Sequence, residues 1–151
     1  MASEFRTKRR VEFAETDAAG ILHFSNYFRY MEEAEHAFLR SLGHSVEIRT
    51  PEGLIGFPRL AVSCEYLKPV KFEDVLDLHL WVRRKGRTSI TYAVVFRKDG
   101  VDVARGETTA VACLVRPDRT IQSIPLPPEL AAKLEEAPYP PFPRREPGGK
   151  P

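Results

Sequence analysis

From Tyr27 to Leu42 apolar side chains return at helical spacing, at Tyr27, Tyr30, Met31, Ala34, Phe38 and Leu42, while Arg29, Glu32, Glu33, Glu35, His36 and Arg40 fill the opposite side. Ser25 is placed to cap this helix and Gly43 to stop it, which predicts about five turns. No other long segment keeps that period. A lone helix has one apolar stripe and must lay it on something, and the rest of the chain offers strands.

Residues 5–13 put Phe5, Val11 and Phe13 on one face and Arg6, Lys8, Arg10 and Glu12 on the other, the alternation of a half-buried strand. LAVSCEYL at 60–67 stops before Pro69, and VLDLHLWV at 75–82 sets Leu76, Leu78, Leu80 and Val82 against Asp77 and His79. TSITYAVVF at 88–96 follows a turn at Gly86. The pair Asp99-Gly100 predicts a hairpin into VDVARGETTAVACLV at 101–115, where Gly106 predicts a bulge or bend. The expected fold class is α+β, a strand, one long helix and four further, mostly antiparallel strands, in which the helix can cover only one face of the five-stranded sheet. LPPELAAKLEEA at 126–137 predicts a short terminal helix, so one domain is expected over 1–137, with a Pro-rich mobile tail over 138–151. There is no internal repeat.

Charge narrows the function. Lys and Arg number 23 against 21 Asp and Glu, so there is no global cationic field of the kind a nucleic-acid binder carries, and any anion site must be local. No apolar run approaches the ~20 residues of a membrane span, and MASEFRTKRR has no apolar stretch after its basic residues. Cys64 and Cys113 fall inside strand-like runs without metal-type spacing, which reads as two reduced thiols in a cytoplasmic protein.

Chemistry concentrates in residues 15–27. Asp17 lies beside Ala18, Ala19 and Gly20, small residues that let a ligand approach, just before a helix N-terminus whose free N–H groups can polarise a carbonyl oxygen. A carboxylate with oxyanion donors in reach suits acyl transfer, by attack on the carbonyl or by activation of water. The plain alternative is that Asp17 is a turn residue or a cap.

The run Thr16-Asp17-x-x-Gly20-Ile21-Leu22-His23-Phe24-Ser25-Asn26-Tyr27, followed by FRYMEEAEHAFLRSLG, resembles the active-site segment of the hotdog-fold acyl-CoA thioesterases of the 4-hydroxybenzoyl-CoA thioesterase type. Glu65-Tyr66-Leu67-Lys68-Pro69 before Asp74, and the turn Gly86-Arg87-Thr88-Ser89, extend the resemblance over about residues 5 to 120. The resemblance implies the hotdog fold, with Asp17 as catalytic nucleophile or general base and the backbone N–H near Phe24 holding the thioester oxygen. It further implies that Gly20 and Tyr27 lie against the substrate. Relatives associated with the Tol-Pal envelope system place His where this chain has Phe24 and Tyr where it has Phe13, which moves this sequence toward the aryl-CoA branch. His23, one residue away, is either a pocket or interface residue or a catalytic helper. Homodimers, commonly paired into homotetramers with sites between subunits, are implied in the same way.

A coenzyme A thioester also needs a place for its phosphates. Arg83, Arg84, Lys85 and Arg87 crowd around Gly86, with Thr88 and Ser89 beside them, as a local anion site or, alternatively, an ordinary solvated turn. No metal or organic cofactor is expected. Glu33-x-x-His36 has a metal-motif form but lacks the second copy and further Glu ligands that a bundle site needs, and no Gly-x-Ser-x-Gly elbow surrounds Ser25 or Ser89. The expected activity is hydrolysis of an acyl-CoA thioester to free acid and coenzyme A. Benzoyl, dihydroxynaphthoyl, phenylacetyl and short or medium fatty acyl groups are all compatible. The rival readings are an enoyl-thioester hydratase and a non-catalytic acyl-CoA-binding domain, the latter marked by binding without turnover.

Overall fold

The computed structural model describes residues 1–138 and Phe142. Strands β1 (Glu4–Arg10), β4 (Arg59–Tyr66), β5 (Val75–Lys85), β6 (Ser89–Lys98) and β7 (Val101–Val111) form one antiparallel sheet in the order β1-β5-β6-β7-β4. Helix α1 (Asn26–Ser41) lies on one face and buries Tyr27, Tyr30, Met31, Ala34, Phe38 and Leu39. Leu76, Leu78, Leu80 and Val82, which alternate along β5, meet Ile90, Tyr92, Val94 and Phe96 of β6 under the helix, and Thr91, Ala93 and Val95 on the other face of β6 are buried as well. Neither described helix is long and apolar enough to cross a membrane.

Helix and sheet approach most closely at Gly106. A Cβ there would stand 2.6 Å from Met31 Sδ and 2.8 Å from the Ser63 carbonyl oxygen. The bulge or bend expected at Gly106 is absent: the residue pairs in register with Cys64 on one side and Val94 on the other. Its missing side chain makes room for the helix. The register shifts fall elsewhere, at Arg59/Ala61, Val82/Arg84 and Phe96/Arg97.

A smaller sheet, unforeseen in the sequence apart from its last part in the expected strand at 101–115, carries β2 (Ile48–Thr50), β3 (Gly53–Gly56), β8 (Cys113–Val115) and β9 (Ile121–Ser123). The long strand expected over 101–115 breaks at Ala112, whose N–H leaves the ladder to bond the Thr88 carbonyl at 2.8 Å. The terminal helix expected over 126–137 contracts to α2 (Pro128–Ala131). Phe13, expected on the buried face, is 75% exposed, because the first strand ends at Arg10 and a 3-10 turn (Phe13–Glu15) follows. Ser25 precedes α1 in helical dihedrals and makes no side-chain cap bond. Of the tail expected to be mobile, all but Pro138 and Phe142 lies outside the described residues. Phe142 is docked: its carbonyl accepts a bond from Arg83 Nη2 at 2.6 Å and its ring lies 4.9 Å from that guanidinium.

Candidate active site

The loop between β1 and α1 is braced from beneath. Arg9 is in phase with Phe5 and Val11 on the inner face of β1, and its guanidinium grips the Glu15 carboxylate at 2.7 and 2.8 Å while Nε donates to Glu33 at 2.8 Å. Tyr30 Oη donates to Glu15 at 2.7 Å, and the Arg9 guanidinium lies 4.3 Å from the Tyr30 ring. Partial burial pushes the Glu15 carboxyl up, but bonds from Arg9, Tyr30 and the Glu12 N–H outweigh it and hold the group below its ordinary value. The Glu15 main-chain carbonyl then accepts from the His23 N–H at 2.9 Å and from Asn26 Nδ2 at 2.8 Å, so both ends of the loop are pinned to one residue.

Inside that frame the chain turns tightly. The Asp17 N–H donates to the Ile21 carbonyl at 2.8 Å, and Gly20, at φ +78°, donates back to the Asp17 carbonyl at 2.9 Å. Asp17 Oδ1 accepts from the Ala19 N–H at 2.8 Å and, at 3.4 Å, from that of Ile21. Oδ2 accepts from none of the described residues. One carboxylate oxygen fixes the rotamer and the other is left available, which is what a nucleophile or base requires.

Asp17 opens onto a cavity of about 290 Å³ walled by Leu22, Phe24, Tyr27, Tyr66, Leu67 and Pro69, with Ile21 and Lys68 completing it. The Phe24 N–H has no partner among the described residues, and its carbonyl accepts from Tyr66 Oη at 2.9 Å. Asp17 and Phe24, each with a polar group that has no partner among the described residues, thus line one largely apolar cavity. Tyr27 packs edge-on against Tyr66 at 4.9 Å and Phe96 at 5.4 Å, and burial pushes its phenol up to about 12. Cys64, beside them on β4, is likewise pushed up to about 12 by burial, so its thiol is no nucleophile at neutral pH.

The structure brings Asp17, Phe24 and Tyr27 to one cavity, with Gly20 in its entrance turn. It does not bring His23 there: Nδ1 stands 2.7 Å from Ser25 Oγ and accepts from the Ser25 N–H at 3.2 Å, and the ring stacks on Phe24. The basic cluster is also apart from this cavity and is not one surface. β5 runs on through it, Arg83 is paired with Glu107 at 2.9 Å, and Lys85 Nζ turns inward to the carbonyls of Ala131 at 3.0 Å and Leu134 at 2.7 Å. Arg84 and Arg87 face solvent, with Thr88 and Ser89 half-buried between them and β6. Sequence reasoning gave no site role to Arg9, Glu15, Tyr66 or Lys68; Tyr66 and Lys68 stood only within the 65–69 part of the resemblance, and Arg9 carried the signal of a cation in phase with the apolar face of its strand. Among the described residues no group of three His, Cys, Asp or Glu could hold a metal ion.

The sequence profile of the thioesterase superfamily matches residues 19–104. A 1,4-dihydroxy-2-naphthoyl-CoA hydrolase of Thermosynechococcus vestitus is similar to this chain, 35% identical over 136 residues that cover 87% of it and 88% of that protein. A protein of Aquifex aeolicus known by its crystal structure superposes with a TM-score of 0.75 and 33% identity, covering 87% of this chain and 99% of its own. A gentisyl-coenzyme A thioesterase superposes at 0.72 with 28% identity, over 85% of this chain and 98% of that one.

Proposed function

This chain belongs to the thioesterase superfamily, and from that premise we propose that it hydrolyses an aryl- or short/medium-chain acyl-CoA thioester, with Asp17 as the catalytic carboxylate. The observation that carries the reading is that Asp17 and Phe24 line one apolar cavity, with Asp17 Oδ2 and the Phe24 N–H both without a partner among the described residues. Asp17 either attacks the thioester carbon, giving an acyl anhydride that water opens, or takes a proton from the attacking water. In both routes the carbonyl π electrons move to oxygen and the Phe24 N–H stabilises that charge. As they return, the C–S bond breaks and the thiolate leaves, to be protonated by the proton that the attacking water gives up. Free acid forms with the thiol in the base route and after it, on opening of the anhydride, in the nucleophile route. The scheme needs no metal or organic cofactor.

The aromatic walls at Phe24, Tyr27 and Tyr66 favour a flat acyl group, and the aryl-CoA names of two relatives agree. Arg84 and Arg87, beside Thr88 and Ser89, are the outward cations suited to the phosphates of coenzyme A, whereas Lys85 is committed to α2. Among the described residues the edge of β4 away from β7 has no strand beside it, with Leu60 71% and Val62 49% exposed, which supports a homodimer joined edge to edge and, by a second pairing, a homotetramer. Cys64 and Cys113 are free thiols, consistent with the cytoplasm. The test is a panel of benzoyl-, dihydroxynaphthoyl-, phenylacetyl-, butyryl- and octanoyl-CoA read by thiol release. Turnover of at least one, fastest among the aryl members, is expected. Binding of all without release would replace the reading with a non-catalytic one.

A further inference from the structure

Phe24 carries the donor on which the proposed chemistry depends, yet its side chain does little to hold it. The residue is 61% exposed, and its ring stacks on its own neighbour His23, with centroids 4.4 Å apart. The main chain must therefore be fixed by hydrogen bonds. The peptide plane that contains the Phe24 N–H is tethered at its other end, where the His23 carbonyl accepts from the Asn26 N–H at 3.0 Å. The following plane is tethered by the Ser25 N–H to the His23 ring and by the Phe24 carbonyl to Tyr66 Oη at 2.9 Å. The first two tethers stay within residues 23–26 and move with them. The third reaches 42 residues along the chain to the main sheet.

Tyr66 is built as a stiff strut. It ends β4 in register with Ala104 of β7, and its ring is wedged edge-on against Tyr27, which leans in turn on Phe96. Burial pushes its phenol up to about 12, so the hydroxyl remains a donor throughout the neutral range. The His23–Asn26 bond holds the plane that carries the Phe24 N–H, and the Tyr66 bond holds the next plane to the sheet, so the N–H plane cannot turn about the Phe24 Cα without straining one of the two bonds.

We infer that Tyr66 is a positioning residue for thioester hydrolysis, its hydroxyl locking the Phe24 peptide so that the Phe24 N–H meets the oxygen that becomes negative as the carbonyl is attacked. The inference rests on the hydrolysis proposed above. It makes Tyr66 a contributor to transition-state stabilisation rather than to substrate affinity, because a preorganised donor matters most when charge develops.

The experiment compares Tyr66→Phe and Asp17→Asn with the wild type on the panel thioester of highest kcat/KM. Tyr66→Phe keeps the ring and its contacts and removes one hydroxyl. Its kcat should fall about tenfold, short of the ~10² to 10³ that loss of a direct oxyanion donor costs, with KM within about twofold. A spectroscopic arm reads the carbonyl stretch of the same thioester bound to Asp17→Asn, where the donor should shift it to lower frequency; in Asp17→Asn/Tyr66→Phe the shift should shrink. Wild-type kcat in Tyr66→Phe, or an unchanged carbonyl stretch, overturns the role of Tyr66 while an inactive Asp17→Asn keeps the hydrolysis reading standing. An active Asp17→Asn overturns the reading beneath it.

Discussion

Replacing Gly106 with alanine should loosen the helix from the sheet by an amount that the packing sets. The new Cβ would lie 2.6 Å from Met31 Sδ, 3.0 Å from Met31 Cε and 2.8 Å from the Ser63 carbonyl oxygen, roughly 1 Å inside the ~3.5–4.0 Å optimum for such atoms. Met31 can yield only into a filled core, being 1% exposed, and the Ser63 oxygen is main chain of β4, which cannot move without its strand. Overpacking of this kind costs about 1–3 kcal/mol. Alanine returns about 0.4–1 kcal/mol by stiffening the unfolded chain. The net loss is then on the order of 1–2 kcal/mol, which at ~2–4 °C per kcal/mol lowers Tm by about 5 °C for a chain of this size. Urea unfolding at fixed protein concentration measures the free energy, and a double-mutant cycle with Met31→Ala isolates the clash. The two changes together should cost about 1 kcal/mol less than their sum, because the shortened side chain vacates the space the new methyl needs. A Gly106→Ala protein as stable as wild type, or strict additivity with Met31→Ala, would refute the close-approach argument.

Three further outcomes follow from contacts elsewhere in the molecule. Glu15 is held below its ordinary carboxyl value, so the unfolded chain binds the proton more readily; the stability it confers is present above about pH 4.5 and lost as pH falls below that. Glu15→Gln should therefore flatten the Tm profile between about pH 5 and 3 relative to wild type; parallel profiles would show that the Arg9 and Tyr30 bonds do not act as described. Lys85→Ala should lower Tm because it strips two carbonyls of α2 and the turn after it of their donor, whereas Arg84→Ala/Arg87→Ala should leave Tm in place, raise KM for acyl-CoA and weaken its salt dependence, with a pantetheine thioester unaffected. Equal KM changes on both thioesters would assign those arginines a structural role instead.

The parts of the fold legible in the sequence were those where period and burial coincide. Helix α1 stands out because its apolar stripe is the only one of its length, β5 because Leu76, Leu78, Leu80 and Val82 alternate into the core, and β6 because residues 90–96 are a mostly apolar run, buried on both faces. The place of β1 beside β5 was not legible, since Phe5 opposite Leu80 is a pairing over most of the domain that no local pattern encodes. The short strands β2, β3, β8 and β9 are too brief to show a period. Lys85 looked like part of an exposed turn because strand ends are hidden from composition; the strand carries it inward to α2. At the site, Asp17 was visible through its small neighbours and the helix that follows. Tyr66 was visible only as part of the resemblance at 65–69, because a tyrosine in an alternating strand looks like packing and its bond to the Phe24 carbonyl exists only where β4 meets a loop distant in sequence.

The most direct test of the account is the kinetics of Asp17→Asn, a nearly isosteric change at a carboxylate whose Oδ1 holds the loop and whose Oδ2 has no partner among the described residues. The amide keeps an oxygen for the Ala19 N–H, so Tm should stay close to wild type and the bound thioester should still be measurable by equilibrium titration. On the panel substrate turned over fastest, kcat should fall by a factor on the order of 10² or more, with little change in affinity, because a nucleophile or base is lost and the cavity is not. A variant that folds, binds and retains more than about a tenth of wild-type kcat would contradict the assignment of Asp17 as the catalytic carboxylate.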